Sequence, residues 1–275
     1  MYQAHDLTLH LQGRTLLEGV HLAVIPGAVT VVVGPNGAGK SSLLKLLAGE
    51  RRPTSGRVTL DGTDIGTLAP ARLARRRAVL PQAAEVAFAF SVAEVVGIGL
   101  GAHGTRRAGA TIEDLLARVD LPGFSQRRYD SLSGGERQRV HLARVLGQLA
   151  TQATGAPRYL LLDEPTSSLD LSHQLLVLRL SRAHADSGGG VLAVLHDLNL
   201  AAMVADHLVL LAAGRVLAEG PPAQVLTDAV LARGFGVNVR VNTVPAGPFI
   251  LPQSVDGERR ADSHSPVTGT GLRMI

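Results

Sequence analysis

The sequence of 275 residues contains no cysteine and no tryptophan, and aromatic side chains make up only 3% of it. Without cysteine the chain can form neither disulfides nor thiolate metal sites, which fits a reducing compartment. So few aromatic rings also argue against base-stacking platforms for nucleic acid. No charged segment followed by an apolar one opens the sequence, so we expect no signal peptide. The longest apolar stretch, residues 86–101, contains Glu94 and is too short to span a membrane.

Charge and composition favour a folded protein that does not bind nucleic acid. Hydrophobic residues make up 45% of the chain, which is enough for a sizeable core, and the formal net charge is only +4. Basic residues cluster at Arg72, Arg75, Arg76, Arg77, Arg127 and Arg128. We interpret both clusters as solvated helix faces and expect no nucleic-acid partner.

Alternating strand and helix patterns indicate the fold class. Residues 1–33 predict short strands separated by turns, and residues 83–150 are mainly helical, with clear helical periodicity at 112–119 and 133–149. From residue 159 onward, strands at 159–162, 191–195 and 207–211 alternate with helices at 172–184 and 197–205. This pattern predicts an α/β fold with a mainly parallel sheet covered on both faces. Residues 254–275 lack periodicity, and we expect a flexible tail there.

A glycine-rich segment at residues 34–41 lies between a strand pattern and a helix pattern. Its form, G-x-x-x-x-G-K-S, predicts a phosphate-binding loop whose backbone N–H groups point at phosphate oxygens. We expect Lys40 to reach the β- and γ-phosphates of ATP and Ser41 to ligate Mg²⁺. The predicted nucleotide-binding residues are Gly34, Pro35, Asn36, Gly37, Ala38, Gly39, Lys40, Ser41 and Ser42.

Two carboxylates follow a Leu-rich strand pattern at residues 159–162. Asp163 ends that strand, and we expect it to hold Mg²⁺, through water. Glu164 comes next and is placed to polarise an attacking water as a general base. A carboxylate pair that merely caps a strand is the alternative for an isolated motif, but a phosphate-binding loop in the same chain favours hydrolysis.

A third segment, Leu-Ser-Gly-Gly-Glu at residues 132–136, opens a helix pattern. Serine, glycine and a helix N-terminus are what an anion site requires, although the same residues also make an ordinary helix cap. The order of phosphate-binding loop, Gln82, this segment, the carboxylate pair, Asp170 and His196 resembles the ATP-binding subunits of ATP-binding cassette (ABC) transporters. The resemblance covers residues 5–235.

The family resemblance implies roles for each motif. A cassette would occupy residues 1–253, with an N-terminal antiparallel β subdomain and an inserted helical subdomain at about 83–150. Gln82 would contact Mg²⁺ and the attacking water, and His196 would touch the γ-phosphate, so that both act with Glu164 in catalysis. The implied contacts to the nucleotide bound by a partner copy come from Ser133, Gly134 and Gly135, with Asp170 at the dimer interface. The implied metal ligands are Ser41, Gln82 and Asp163.

Finer similarities suggest a cargo. Residues 80–82, 87–90 and 197–201 resemble importers of iron chelates, cobalamin and haem, whereas 147–158, 167–174 and 248–252 resemble the ATP-binding subunit of haem (hemin) importers. The implied assembly is a homodimer bound to two transmembrane permease subunits and served by a periplasmic haem-binding protein. The chain would then lie peripherally at the cytoplasmic face of the bacterial inner membrane, touching it through the permease.

One departure and three alternatives accompany this interpretation. Many family members carry an aromatic residue on the first hairpin to stack on adenine, but here Leu11 holds that position with His10 beside it. Weak selectivity for ATP over GTP is therefore expected.

The cargo could instead be a ferric siderophore or cobalamin. The chain could also be a soluble ATPase of the same fold, acting in DNA repair or on the ribosome. A third alternative is a haem-binding or regulatory protein, which the ten histidines suggest, although they are scattered without a ligand pattern.

Overall fold

The computed structural model describes residues 1–82, 89–101, 111–150, 155–245 and 247–254. The helices and strands in chain order are β1 (Tyr2–Leu11), β2 (Arg14–Val24), β3 (Val29–Val33), α1 (Lys40–Leu47), β4 (Ser55–Leu60), β5 (Thr63–Asp64), α2 (Pro70–Ala74), β6 (Arg77–Leu80), α3 (Val92–Gly101), α4 (Ile112–Arg118), α5 (Gly134–Ala150), β7 (Tyr159–Asp163), α6 (Leu171–Asp186), β8 (Gly190–Val194), α7 (Leu198–Val204), β9 (His207–Ala212), β10 (Arg215–Gly220), α8 (Pro222–Val225) and α9 (Asp228–Phe235). Short 3₁₀ turns occur at Ile65–Thr67, Tyr129–Ser131 and Pro252–Ser254.

Two sheets organise these elements. The central sheet has six strands in the order β10-β9-β3-β8-β7-β6, in which all neighbours pair in parallel except β9 and β10. The second sheet has four antiparallel strands in the order β2-β1-β4-β5. This confirms the predicted α/β fold with a mainly parallel core, an N-terminal antiparallel sheet and a helical insertion.

The central strands are buried on both faces, and their alternation divides the core in two. On β3, Val29, Val31 and Val33 pack in one cluster with the helices α3 to α7, while Val32 packs in the other with α1 and the antiparallel sheet. Strands β7, β8 and β9 divide in the same way. Continuous apolar runs of this kind belong to parallel strands covered on both sides, because successive side chains point to opposite faces.

Helix α5 joins the helical subdomain to the central sheet. It packs closely against α3 and, near its C-terminal end, against β6. The Gln148 amide donates to the carbonyls of Ala74 and Arg77 at 2.8 and 3.0 Å. Midway along the helix, the His141 ring lies against Tyr129, with 2.7 Å between Nε2 and the phenol oxygen. The polar side of α5 is therefore used to fasten the helix to its surroundings.

Some details differ from the sequence-based expectations. The arginines at 72–77 do not share one solvated helix face, because Arg77 lies on β6, where burial lowers the pKa of its guanidinium. Strand β10 and helix α9 were not anticipated, since β10 is an edge strand of half-exposed residues without a continuous apolar run. Residues 255–275 of the tail expected at 254–275 lie outside the described residues, as do residues 83–88 and 102–110 of the expected helical subdomain and residues 151–154. Within the described ranges, no helix combines the length and apolarity needed to cross a membrane.

Candidate nucleotide-binding and hydrolysis site

Four parallel strands end at the same edge of the central sheet, as parallel strands must. The phosphate-binding loop follows β3, Gln82 follows β6, Asp163 ends β7 and His196 lies two residues beyond β8. Since the strand order is β3-β8-β7-β6, the four side-chain groups are neighbours along this edge. Ligands of open parallel sheets bind at the carboxyl ends of the strands.

The loop at residues 34–39 depends on glycine at two positions. Gly34 has φ of 152°, and a Cβ atom there would lie 2.0 Å from the carbonyl oxygen of Leu211 on β9. Gly39 has φ of 102°, and a Cβ atom there would lie 2.7 Å from the carbonyl oxygen of Leu16. Any other residue would therefore force the loop away from β9 or the first hairpin.

Lys40 begins α1 and is only 5% exposed. Its ammonium donates to the carbonyl oxygens of Gly34 and Pro35 at 2.8 and 3.0 Å, so the side chain folds along the inside of the loop. Burial lowers the pKa of this amine, while the charges of Glu164 and Asp163 oppose that change. A cation is thus held where the loop's N–H groups can also face an anion.

Ser41 and Asp163 connect the loop to β7. The Ser41 hydroxyl donates to Asp163 Oδ1 at 3.2 Å, and Asp163 is only 3% exposed. Burial raises the pKa of the Asp163 carboxyl, and the Ser41 hydrogen bond partly counters the rise. The pair offers hydroxyl and carboxylate oxygens, which are the donors that Mg²⁺ prefers.

Glu164 is held by the two residues that sequence patterns alone could not single out. Gln82 Nε2 donates to Glu164 Oε2 at 2.6 Å, and His196 Nε2 lies 2.5 Å from Glu164 Oε1. The Glu164 side chain is only 11% exposed. Both carboxylate oxygens are therefore oriented by side chains from two other strand ends, one on each side.

The backbone of Glu164 is also unusual. Its φ is +48°, in the left-handed region that non-glycine residues seldom adopt. The conformation is fixed by its N–H, which donates to Val194 O at 3.2 Å, and by its carbonyl, which accepts from Gln138 Nε2 at 3.3 Å and Ser167 Oγ at 3.1 Å. Strain of this kind persists where the surroundings over-determine it, and it is concentrated at functional sites.

Ser133, Gly134 and Gly135 form a separate group at the N-terminus of α5. Ser133 and Glu136 make a capping box, in which the Glu136 carboxylate accepts from Ser133 N at 2.7 Å and the Ser133 hydroxyl accepts from Glu136 N at 3.3 Å. The backbone hydrogen bond from Ser133 lowers the pKa of Glu136. Among the described residues, no hydrogen bond links these three residues to the phosphate-binding loop.

Asp170 lies with this second group. Its carboxylate caps α6 by accepting from His173 N at 3.0 Å and from the Ser172 hydroxyl at 2.8 Å, and these bonds lower its pKa. A Cβ atom on Gly135 would lie 3.3 Å from Ser168 O, so the start of α5 adjoins the segment that precedes Asp170. The candidate residues thus fall into two groups within one chain.

Two residues that support the site were not assigned a role from the sequence. Gln138 supports the Glu164 backbone, and Glu136 completes the cap on Ser133. The Ser133 to Glu136 spacing is the S-x-x-E capping signature and could have been read from the sequence. Nothing local marks Gln138, because its partner is 26 residues away in sequence.

The first hairpin places Leu11 at the end of β1, with its side chain 40% exposed. The neighbouring His10 ring is engaged with the Thr15 hydroxyl at 3.0 Å. The neighbouring chain at Leu16 and Leu17 contacts the phosphate-binding loop at Gly39. An aliphatic side chain therefore occupies the position where the family resemblance leads one to expect an aromatic ring.

A phosphate-binding loop and strand-end carboxylates on a parallel sheet, joined to a helical insertion, define a P-loop ATPase of the cassette class. The profile of the ABC transporter family matches residues 17–167. This chain belongs to the ABC transporter family.

Two relatives show how far the similarity extends. The Hemin import ATP-binding protein HmuV of Rhizobium meliloti (strain 1021) is 51% identical over 259 residues, which are 92% of this chain and 99% of that protein. The protein of the same name from Rhodopseudomonas palustris (strain ATCC BAA-98 / CGA009) is 46% identical over 265 residues, covering 96% of this chain and 98% of its own.

Solved structures share the fold at lower identity. An ATP-binding subunit of an ABC transporter superposes with a TM-score of 0.72 at 25% identity, covering 86% of this chain and 94% of its own. The dimeric structure of the bacterial ABC transporter cassette MJ0796 gives a TM-score of 0.70 at 25% identity, covering 81% of this chain and 99% of its own.

Proposed function

We propose that this chain is the ATP-hydrolysing subunit of a hemin importer and that it works as a homodimer with ATP at the interface. The observation that carries the hydrolytic role is the convergence of Gln82 and His196 on Glu164, beside Lys40, Ser41 and Asp163. The cargo is supported by relatives at 45–51% identity that are named as hemin import ATP-binding proteins.

In this proposal Glu164 is the general base. Its carboxylate is oriented from both sides, so it can accept a proton from a water in line with the γ-phosphate without a reorganisation cost. Lys40 and the loop N–H groups neutralise charge on the phosphates, and His196 reaches the same phosphate group. No covalent intermediate with the protein is needed, because positioning and charge stabilisation supply the catalysis.

Mg²⁺ fits the donors at this site. It would be held by Ser41, with Gln82 and Asp163 as further ligands, the latter through water, and would neutralise phosphate charge. Gln82 gives its amide N–H to Glu164, so its amide oxygen remains to face a cation. The described ranges contain no group of three or more His, Asp or Glu residues placed to hold a metal, so substrate oxygens and water would complete the coordination.

The second group of residues would act on the ATP of a partner copy. Ser133, Gly134 and Gly135 offer a capped helix start, and Asp170 lies beside it, yet none of them bonds to the chain's own loop. A second copy facing this one would close each site from outside. The dimeric arrangement of the related cassette MJ0796 supports this assembly.

A basic cleft of about 850 Å³ supports a permease partner. It is lined by residues of α2, β6 and α5 and extends to Pro81, next to Gln82. Its basic lining residues are Arg51, Arg52, Arg57, Arg77 and Arg144. A permease segment seated there would touch both the helical subdomain and the Gln82 loop. Contact with the cytoplasmic face of the inner membrane would then run through the permease.

The permease contact can be tested by charge reversal. Arg51→Glu with Arg52→Glu should weaken co-purification of the membrane subunit while leaving ATP binding intact, because both side chains line the cleft away from the loop. Co-purification at the wild-type level would argue against this cleft as the docking site.

The function is tested by ATPase activity of the chain reconstituted with its membrane subunit and a binding protein. Hemin-loaded binding protein should stimulate hydrolysis, whereas ferric siderophore or cobalamin should not. The Glu164→Gln variant in the same complex is the control that removes background hydrolysis. Stimulation by another cargo would exclude hemin as the substrate, but the role of the chain as the ATPase of an importer would stand. Failure of any membrane subunit to co-purify would overturn the transporter role in favour of a soluble ATPase.

A further inference from the structure

His173, in the first turn of α6, faces two carboxylates from different parts of the fold. Its Nδ1 lies 2.8 Å from Asp170 Oδ1, and its Nε2 lies 3.2 Å from Asp120 Oδ2. The ring is only 20% exposed, although both carboxylates are largely in solvent. None of the roles proposed above uses this side chain.

Asp120 belongs to the helical subdomain and is anchored to the start of α5. It follows α4 with φ of +57°, which turns the chain back towards α5. Arg139, six residues after Ser133 and buried, donates to the carbonyl of Asp120 at 2.8 Å and to that of Val119 at 3.2 Å. The Asp120 carboxylate lies 3.5 Å from the same guanidinium. Asp120 is therefore bonded through both its backbone and its side chain to the helix that begins at Gly134.

A continuous chain of polar contacts results, from Arg139 through Asp120 and His173 to Asp170. A neutral imidazole can donate from only one nitrogen, whereas the protonated ring donates from both. Either form of the ring can therefore bond to at least one of the two carboxylates that face its nitrogens. Arg139 and Ser172 are the other polar groups that face this pair of carboxylates.

We propose that His173 is a positioning residue that ties Asp170 to the start of α5, so that a protomer presents both elements to its partner's nucleotide as one unit. This inference rests on the proposed function of Ser133 and Asp170 at the dimer interface. Within the described part of the chain, no hydrogen bond joins His173 to the phosphate-binding loop or to Glu164.

The link predicts a specific kinetic effect. His173→Ala should lower kcat of the reconstituted transporter by about ten-fold, because small misplacements of positioning groups are costly. The dissociation constant for ATP should not change, since Lys40 and the loop are untouched. His173→Gln, which can still donate to one carboxylate, should give an intermediate loss.

The partner of His173 supplies the decisive measurement. Asp120→Gly removes the carboxylate and suits the left-handed backbone at that position. The double variant His173→Ala with Asp120→Gly should be no slower than the more affected single variant, because both changes break the same link. Multiplying losses would overturn the proposal, as would an unchanged kcat in His173→Ala.

Two controls separate this inference from the proposed function and from simple unfolding. His21→Ala removes an exposed histidine 3.9 Å from Asp6, a matched pair on the antiparallel sheet, and should leave kcat unchanged. Ser133→Arg tested in parallel should lower kcat by about 100-fold. If Ser133→Arg keeps its activity, the shared site itself is wrong; if only His173→Ala keeps its activity, the site stands and the link is wrong. A change in Tm confined to His173→Ala, with weakened ATP binding, would assign the residue a purely structural role.

Discussion

The two groups of candidate residues differ in how the chain holds them. Lys40 and Asp163 are only 5% and 3% exposed, and Asp163 is bonded to Ser41 across two strand ends of the parallel sheet. Ser133 is exposed and Asp170 has a side-chain exposure of 66%, and each is fixed by hydrogen bonds to residues two or three positions away. The first group is assembled by tertiary structure, the second by local helix caps.

This difference indicates how the work is divided. A buried cluster with inward bonds can bind phosphate and position a water within one chain. An exposed, locally capped helix start with no bond to its own chain's loop is suited to meet a ligand held by another copy. We therefore expect substitutions in the first group to impair phosphate binding or water positioning within one chain. Substitutions in the second group should impair only the hydrolysis that requires the assembled dimer.

The largest effect is expected from Glu164→Gln. Loss of the general base should lower kcat by about 1,000-fold. ATP binding should persist, because the amide keeps the shape of the side chain and leaves Lys40 and the phosphate-binding loop unchanged. Steady-state ATPase and equilibrium ATP binding measure the two parts. Glu113→Gln, an exposed change on α4, is the control. Near-normal turnover by Glu164→Gln would exclude Glu164 as the base.

Ser133→Arg should lower kcat by about 100-fold, since it removes an anion contact and places a bulky side chain at the helix start. ATP binding by the chain should be unchanged. Ser187→Arg, at the exposed end of α6, is the matched control.

A mixture sharpens this second prediction. Lys40→Ala and Ser133→Arg chains should each be inactive, but a mixed dimer contains one intact loop facing one intact helix start. Recovery of hydrolysis on mixing is therefore expected, and no recovery would contradict a site shared between copies.

Asp163→Asn should raise the stability of the nucleotide-free chain by a few degrees in Tm. Burial raises the pKa of the Asp163 carboxyl, so the folded state holds its proton to higher pH than the unfolded state does. The wild type therefore loses stability as the pH rises above the ordinary value of 3.8, whereas the amide variant does not. Thermal melts across pH without Mg²⁺ should show the gap opening from acid to neutral pH. A gap that does not depend on pH would be evidence against this assignment.

The smallest effect is expected at Leu11. Leu11→Tyr should lower KM for ATP by about five-fold, because an aromatic ring on the nucleobase adds about 1 kcal/mol. The wild type should discriminate little between ATP and GTP. Leu11→Met keeps the bulk without a ring and is the control. A strong wild-type preference for ATP would mean that other groups recognise adenine.

Local patterns were sufficient for much of the fold, for the phosphate-binding loop and for the strand that ends at Asp163. The spacing from Gly34 to Ser41 defines a phosphate-binding loop because only glycine fits φ of 152° and 102° at Gly34 and Gly39. The Leu-rich run before Asp163 identified a strand buried on both faces. Periodicity failed at β10, an edge strand whose half-exposed residues lack a continuous apolar run.

The interpretation of Arg77 shows a different limit. In the sequence it is the last of several neighbouring arginines, which favours a solvated face. In the fold it lies on β6, where burial is set by residues far away in the chain. A run of charged residues indicates a solvent-exposed face only when all of its residues lie on the same helix or strand.

The sequence by itself determined the cassette, because its loop, strand-end carboxylates and helix cap each depend on neighbouring residues along the chain. Only the tertiary structure decided that Gln82 and His196 meet on Glu164, and that His173 joins Asp170 to Asp120. Those partners are brought together by the order of strands in the sheet and the packing of helices from distant segments. Spacing alone shows neither arrangement: the roles of Gln82 and His196 were expected only from the family resemblance, and the contact of His173 with Asp120 was not expected.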